Sequence, residues 1–256
     1  MQDIIISKLK EIEEAYKVKI LYAIESGSRG WGFASKDSDY DVRFIYIHPI
    51  NWYLSVEEKK DFIELPINEL LDINGWDIRK ALLLYKKSNP TLLEWLSSPI
   101  VYMDNYSTAT KMRDLLPYYF SPVPTLYHYL HIAKNKYEEI ISTDQVKIKR
   151  YFYILRPLLA CMWIEKNISM PPMEFSKLIA EQPMDQSLVN EINKLLEKKT
   201  AGMEIDIEEK NPLIIDFLKS KIEHYEQYLK TIKKEKMSDY GALNTLFRET
   251  LDEVWR

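Results

Sequence analysis

The sequence predicts an α+β protein, with a mixed β-sheet and flanking helices in its first part and an all-α second part. Two observations predict this class. Apolar runs at residues 20–24 and 42–47 have the length of buried strands and enclose a corner rich in glycine and serine. From about residue 105 onward, apolar residues recur at helical spacing instead. We therefore expect one domain over residues 1–104 and a helical domain over residues 105–256.

Length and composition exclude several classes of protein. The 256 residues suffice for one large domain or two modest ones, and the net charge of -4 argues against binding long nucleic acid through bulk charge. The single cysteine, Cys161, cannot form an internal disulfide, which favours a reducing, cytoplasmic setting. No run approaches the roughly twenty apolar residues of a membrane span, and charged residues interrupt the N-terminus, unlike a signal peptide. We expect a cytoplasmic protein without a membrane partner.

The first elements can be assigned in chain order. Residues 2–16 place apolar side chains at helical spacing, and a strand over residues 18–25 follows. After the Gly-Ser corner a short helix begins at Ser28 or Arg29, with its first N–H groups directed toward the corner. A second strand spans residues 39–47.

The remaining elements follow the same patterns. Residues 58–74 form a predicted antiparallel strand pair interrupted by Pro66. A helix over residues 78–87 comes next, with Asp77 placed to cap it, and another helix spans residues 91–96. Segments of helical periodicity then lie near residues 105–116, 122–141, 145–166, 174–180, 186–199, 212–235 and 241–255.

The Gly-Ser corner and the strand after it carry the residues with the clearest chemistry. Three of the chain's six glycines lie between residues 27 and 32, shortly before Asp39 and Asp41. The period of two in a strand places Asp39, Asp41 and Arg43 on one face. Two carboxylates beside a loop that offers backbone N–H groups suit a divalent metal and a polyphosphate. Arg43, on the same face, either contacts phosphate or pairs with the aspartates, and its place on their face favours the ion pair.

The spacing from Gly27-Ser28 to Asp39 and Asp41 resembles the nucleotidyltransferase superfamily typified by DNA polymerase β. Within it, the chain is most similar to a bacterial branch of predicted nucleotidyltransferases that includes an RNA-repair-associated subfamily. The resemblance covers most of residues 20–165 and continues through motifs at residues 72–80, 89–90, 93–94, 149, 153 and 156–158.

This resemblance implies a two-metal active site. Asp39, Asp41 and Asp72 would bind Mg²⁺ or Mn²⁺, and Asp72 would also accept the proton of the incoming hydroxyl. Gly27 and Ser28 would hold the triphosphate tail of the nucleotide. Two metal ions held by shared carboxylates stabilise the attacking oxygen and the leaving pyrophosphate in such a displacement.

Several assignments leave alternatives open. Asp77 competes with Asp72 for the third carboxylate, and we favour Asp72 because a strand, not a helix, should supply that ligand. Arg29 either contacts phosphate or balances the acidic site. Lys149 and Arg156 are seven residues apart on a predicted helix, where they either close over the triphosphate or form a solvated charged stripe.

The expected activity is the transfer of a nucleoside monophosphate from a nucleoside triphosphate, ATP in the first instance, to an acceptor hydroxyl with release of pyrophosphate. An RNA end, a small molecule and a protein side chain are all acceptors within the superfamily, and the sequence does not select among them. The alternative is a low-turnover nucleotide-binding or antitoxin-like regulatory partner. A pure binding module has no need of three metal ligands, which favours the enzyme.

Overall fold

The computed structural model describes residues 1–66, 70–203, 207–232 and 239–256, which divide into two compact units. The first unit comprises residues 1–30, 39–120 and the described part of 237–256, and the second comprises residues 31–38 and the described part of 121–236. This division differs from the boundary expected after residue 104. The segment 31–38 packs with helices of the second half, whereas the last helix packs with helices of the first half.

The first unit is built on a five-stranded mixed sheet. Its strands are β1 (Lys19–Glu25), β2 (Tyr40–Ile47), β3 (Phe62–Glu64), β4 (Leu71–Asp77) and β5 (Val101–Asp104). They lie in the order β3-β4-β2-β1-β5. β2 and β4 are parallel, and the other neighbouring strands are antiparallel. The predicted α+β class with a mixed sheet is confirmed.

Helices flank this sheet. They are α1 (Gln2–Tyr16), α2 (Gly27–Gly30), α3 (Ile50–Tyr53), α4 (Ile78–Lys86), α5 (Pro90–Leu96), α6 (Thr108–Tyr119) and the C-terminal α12 (Gly241–Trp255). α1 buries Ile5, Leu9 and Ile12, which recur at helical spacing and share one apolar cluster with Val42 and Phe44 of β2. Because side chains alternate along a strand, the odd-numbered residues of β2 face away from this cluster. The candidate site therefore lies on the sheet face opposite α1.

The second unit is mainly helical but not purely so. Its helices are α7 (Pro122–Ile141), α8 (Ile148–Asn167), α9 (Phe175–Ala180), α10 (Gln186–Lys198) and α11 (Pro212–Thr231), with a π-helical turn at Lys199–Met203. A two-stranded antiparallel ladder joins β6 (Gln145–Lys147) to β7 (Ile207–Glu209), so the all-α expectation needs that correction. Phe33 is 2% exposed and packs against the rings of Phe152 and Phe175, which ties the segment 31–38 to this unit.

The strand pair expected over residues 58–74 is present as β3 and β4, but β4 runs on to Asp77. Residues 67–69 of that prediction, and residues 233–235 of the helix predicted over 212–235, lie outside the described residues. β5 was not predicted, because it is short and its side chains show no full burial. Within the described ranges, no helix is long and apolar enough to cross a membrane.

Candidate active site

Two aspartates face each other across the parallel strands β2 and β4. Asp41 and Asp72 are register partners in that ladder, and both side chains are half-buried. Asp39 immediately precedes β2, is exposed, and lies close enough for its charge to act on Asp41. Strand pairing thus brings Asp41 and Asp72 together, and Asp39 lies immediately before the strand that carries Asp41. The same pairing makes Asp72 the direct neighbour of Asp41.

The Arg43 guanidinium joins two of these carboxylates. Its Nη2 lies 2.7 Å from Oδ2 of Asp72 and 3.1 Å from Oδ1 of Asp41, and its Nη1 donates to the Asp72 carbonyl at 3.1 Å. The expected ion pair of Arg43 with the strand aspartates is therefore present. A positive charge already occupies the space between the two carboxylates.

The pKa of the Asp41 carboxyl reflects both its burial and these neighbouring charges. Burial is the largest influence and raises the pKa of the Asp41 carboxyl above its ordinary value. Arg43 opposes that rise, while the carboxylates of Asp72 and Asp39 reinforce it. The site concentrates negative charge that one guanidinium only partly compensates, which favours the binding of further cations.

The Gly-Ser corner lies directly against Asp41. Gly27 has a φ of 55°, and a β-carbon on it would come within 1.8 Å of Asp41 Oδ2, so only glycine fits there. The N–H of Ser26 donates to the Asp41 carbonyl at 2.8 Å. Ser28 is half-buried in α2, and Arg29 lies over the Tyr40 ring at 3.7 Å. Arg29 Nε also donates to the Asp39 carbonyl at 3.2 Å, so this arginine contacts the strand that carries the aspartates.

Asp77, the competing candidate, is engaged elsewhere. It ends β4, opposite Tyr46, and its Oδ1 accepts the N–H of Arg79 at 2.8 Å, which caps α4 as predicted. Its Oδ2 accepts the hydroxyl of Tyr53 at 2.7 Å. Asp72, and not Asp77, is the strand carboxylate that faces Asp41.

Lys149 and Arg156 belong to the second unit. Lys149 is half-buried in the first turn of α8. Arg156 is 4% exposed; its guanidinium lies 4.6 Å from the Trp31 ring and donates to the Met173 carbonyl. Arg156 is thus a packed cation on an aromatic face and not part of a solvated stripe. A contact of either residue with a nucleotide stays a prediction.

The donor set suits Mg²⁺ or Mn²⁺. Hard divalent ions take oxygen ligands, and Asp39, Asp41 and Asp72 offer three carboxylates in one neighbourhood. Among the described residues, no three acidic, His or Cys side chains already stand in a metal-binding arrangement. The Arg43 guanidinium lies between the carboxylates of Asp41 and Asp72, at 3.1 and 2.7 Å. The oxygen donors fit the metal by their chemistry, and Arg43 would have to release them for a cation to bind there.

Sequence reasoning missed two residues behind the site. Glu25, the last residue of β1, is fully buried, and its Oε1 accepts the N–H of Asp41 at 2.8 Å. The hydroxyl of Tyr102 in β5 donates to the other Glu25 oxygen at 2.5 Å. A glutamate that ends a continuous apolar strand immediately before the Gly-Ser corner was the signal in the sequence.

One comparison with known proteins identifies the family of the chain. A family model described as the RNA repair pathway DNA polymerase beta family matches residues 1–249. The chain is 48% identical over 256 residues to the uncharacterised protein YcgL of Bacillus subtilis (strain 168), covering 100% of this chain and 98% of that protein. A crystal structure of a nucleotidyltransferase-like protein from Exiguobacterium sibiricum 255-15 aligns with a TM-score of 0.29 at 12% identity, covering 98% of this chain and 81% of that one. The family match and the Bacillus protein both span the two units.

Proposed function

Because the chain belongs to the RNA repair pathway DNA polymerase beta family, we propose that it is a metal-dependent nucleotidyltransferase. It transfers a nucleoside monophosphate from a nucleoside triphosphate to an acceptor hydroxyl and releases pyrophosphate. The observation that carries this proposal is the pairing of Asp41 with Asp72 across two parallel strands, with Asp39 immediately before one of them.

Each carboxylate has a role in this proposal. Asp39 and Asp41 hold the divalent metal, and Asp72 completes the ligand set and accepts the proton of the incoming hydroxyl. When bound, Mg²⁺ or Mn²⁺ supplies positive charge that stabilises the attacking oxygen and the departing pyrophosphate. While no metal is bound, Arg43 neutralises part of the negative charge of the carboxylates. When the cation binds, Arg43 releases its contacts with Asp41 and Asp72.

The corner supplies the nucleotide contacts. Gly27 allows the backbone to approach closely, and Ser28 offers its hydroxyl and N–H to the β- or γ-phosphate. Arg29, already oriented along Tyr40, contributes positive charge on the same side. ATP is the proposed donor.

RNA ends are the first acceptor to test. The family description names RNA repair, which supports an RNA hydroxyl over a small molecule or a protein side chain. The net charge of -4 requires that RNA be held by local basic residues and not by the surface as a whole.

Incubation with each of the four α-³²P-labelled nucleoside triphosphates tests the proposal. Reactions contain Mg²⁺ or Mn²⁺, with and without total RNA, and pyrophosphate is measured in parallel. We expect label in RNA with the wild type and a loss of at least about a hundredfold in Asp41→Asn, which lacks a metal ligand. Asp114→Asn is the matched control, since Asp114 is exposed on α6 of the same unit.

The outcomes separate the candidate activities. Label in a protein or a small molecule would keep the transferase and change its acceptor. Nucleotide bound at the site without any transfer or pyrophosphate release would support the low-turnover regulatory partner. Equal transfer by wild type and Asp41→Asn would rule out the carboxylate site as the catalytic centre.

A further inference from the structure

Glu25 is a buried carboxylate behind the proposed metal site. Its side chain is fully buried. Burial is the largest influence on it and raises the pKa of this carboxyl, while its hydrogen bonds and the charge of Arg29 oppose that rise. A buried acid destabilises a fold unless hydrogen bonds and nearby positive charge compensate. Its side-chain bonds are made by the N–H of Asp41 and the hydroxyl of Tyr102.

These bonds restrain the backbone of Asp41 from two sides. Glu25 Oε1 accepts the Asp41 N–H at 2.8 Å, and the next residue, Ser26, donates its own N–H to the Asp41 carbonyl at 2.8 Å. An aspartate has a short side chain, so a shift of its backbone moves its carboxylate by a similar amount. Metal sites tolerate displacements of about 0.5 Å.

Glu25 is itself held by its surroundings. Its second carboxylate oxygen accepts the Tyr102 hydroxyl, and its carbonyl accepts the hydroxyl of Ser98 at 2.6 Å. Its N–H donates to the carbonyl of Ile100 at 3.0 Å. A side chain fixed in this way can transmit its own position to Asp41.

We propose that Glu25 is a positioning residue for the Asp41 carboxylate, that it acts through the Asp41 amide, and that Tyr102 holds Glu25 in place. This inference rests on the proposed metal-dependent function. Neither Glu25 nor Tyr102 touches the metal in it. Residues that orient a metal ligand typically change metal affinity about 10–100-fold when they are replaced.

The test measures Mn²⁺ binding by the loss of the free-ion signal in electron paramagnetic resonance. The variants are Glu25→Leu, which removes the acceptor, and Glu25→Gln, which keeps an acceptor oxygen for the Asp41 amide. Glu13→Leu is the matched control, because Glu13 also accepts a strand N–H, that of Ile20 at the other end of β1, at 2.8 Å. Hydrogen exchange at the Asp41 amide reports directly on the proposed contact.

We expect Glu25→Leu to weaken Mn²⁺ binding about tenfold or more and to speed exchange at Asp41, with Glu25→Gln and Glu13→Leu within about twofold of wild type. If the wild type binds Mn²⁺ and Glu25→Leu binds it equally, the inference is overturned and the proposed function stands. If the wild type binds no Mn²⁺, both fall. A tenfold loss in Glu25→Gln would also overturn the inference, because charge and not position would then matter.

A second variant covers the case in which Glu25→Leu does not fold. Tyr102→Phe keeps the carboxylate and its bond to Asp41 but removes the hydroxyl that holds Glu25. We expect a two- to fivefold weaker Mn²⁺ affinity, together with faster exchange at the Asp41 amide. Unchanged affinity and exchange in this variant would overturn the inference.

Discussion

At the scale of single residues, three consecutive positions at the end of β1 determine where Asp41 lies. Glu25 accepts its N–H, Ser26 donates to its carbonyl, and the Cα of Gly27 lies against its carboxylate. Each of these contacts uses a backbone group or requires the absence of a side chain. Substitutions here are therefore expected to alter the proposed metal site more than the fold.

Gly27→Ala is the sharpest test of this view. The new methyl group would meet Asp41 Oδ2 at 1.8 Å, so the carboxylate must turn away. We expect Mn²⁺ affinity and nucleotide transfer to fall at least about tenfold. Stability should fall by only about 1–2 kcal/mol, the cost of placing alanine in a left-handed conformation.

Gly32→Ala controls for that backbone strain. Gly32 has a φ of 82°, and a β-carbon there meets nothing within 4 Å. This variant should lose a similar amount of stability in urea denaturation and bind Mn²⁺ as the wild type does. Equal metal affinity in Gly27→Ala and Gly32→Ala would contradict the close contact of Gly27 with Asp41.

Asp39 and Asp41 were accessible to sequence reasoning because their relation is local, whereas Asp72, in another strand, was named through the family resemblance. Asp41 and Arg43 lie on β2, Asp39 immediately precedes it, and period-two alternation is enough to group Asp41 with Arg43. Glu25 was missed because its second partner, Tyr102, is 77 residues away in the chain. No local pattern states which hydrogen bond a buried acid will form.

At the scale of elements, the parallel pairing of β2 with β4 places Asp72 opposite Asp41. Gly75 is part of this ladder as the register partner of Phe44. A β-carbon on Gly75 would lie 2.2 Å from the Phe44 ring, so that ring covers the glycine. The close contact of ring and backbone is a condition for the two strands to pack as they do.

Gly75→Ala should therefore destabilise the sheet. We expect the free energy of unfolding to fall by about 1–3 kcal/mol, because the Phe44 ring must move out of a packed core. Urea denaturation measures this loss. Adding Phe44→Leu to the Gly75→Ala variant should recover part of it, and strict additivity of the two substitutions would contradict the contact.

The junction of β4 with α4 holds a second buried acid. Asp77 is 1% exposed, and burial raises its pKa from 3.8 to about 6, against the opposing effect of the hydrogen bonds from Tyr53 and the Arg79 amide. A raised carboxyl pKa means that the folded state binds the proton more tightly than the unfolded state does. The stability contributed by protonated Asp77 is present at low pH and is lost as the pH rises toward and through 6.

Asp77→Asn should reveal this pH dependence, because asparagine keeps a cap acceptor and does not titrate. Relative to the wild type, the variant should gain on the order of 2–3 kcal/mol between pH 4 and pH 7 and change little above that. Urea denaturation across this range checks it, with Asp114→Asn, a change at an exposed position of α6, as the control. A difference between Asp77→Asn and the wild type that is the same at every pH would contradict the raised pKa.

Elements with a strong hydrophobic period were predictable, and so was the pairing of strands adjacent in the chain, whereas the pairing of distant strands was not. The α4 helix and its cap by Asp77 follow from the sequence, and so does the antiparallel pairing of β3 with β4. The parallel pairing of β2 with β4 depends on contacts between distant segments. β5 has four residues and no fully buried side chain, so only its place beside β1 defines it as a strand.

At the scale of the whole molecule, each compact unit is built from stretches that are separate in the chain. The change from strands to helices near residue 105 is real, yet α6 and α12 pack with the sheet unit and the segment 31–38 packs with the helical unit. Periodicity identifies a helix but does not reveal which surface its apolar face covers. A boundary drawn from secondary structure alone therefore groups α12 with the helical domain, whereas α12 packs against α4 and α6.

The last prediction concerns α12. Its Leu243 and Leu246 are buried, it contacts α4 and α6, and its Thr250 lies within hydrogen-bond distance of Thr108 in α6. Leu246→Ala should cost about 2–4 kcal/mol through the cavity it leaves. Hydrogen exchange should then speed up in the strands of the sheet unit while α8 keeps its protection, because local stability follows packing and not chain order. Asn244→Ala, an exposed change on the same helix, should leave exchange unaltered, and faster exchange confined to α8 would show that α12 stabilises the helical unit instead.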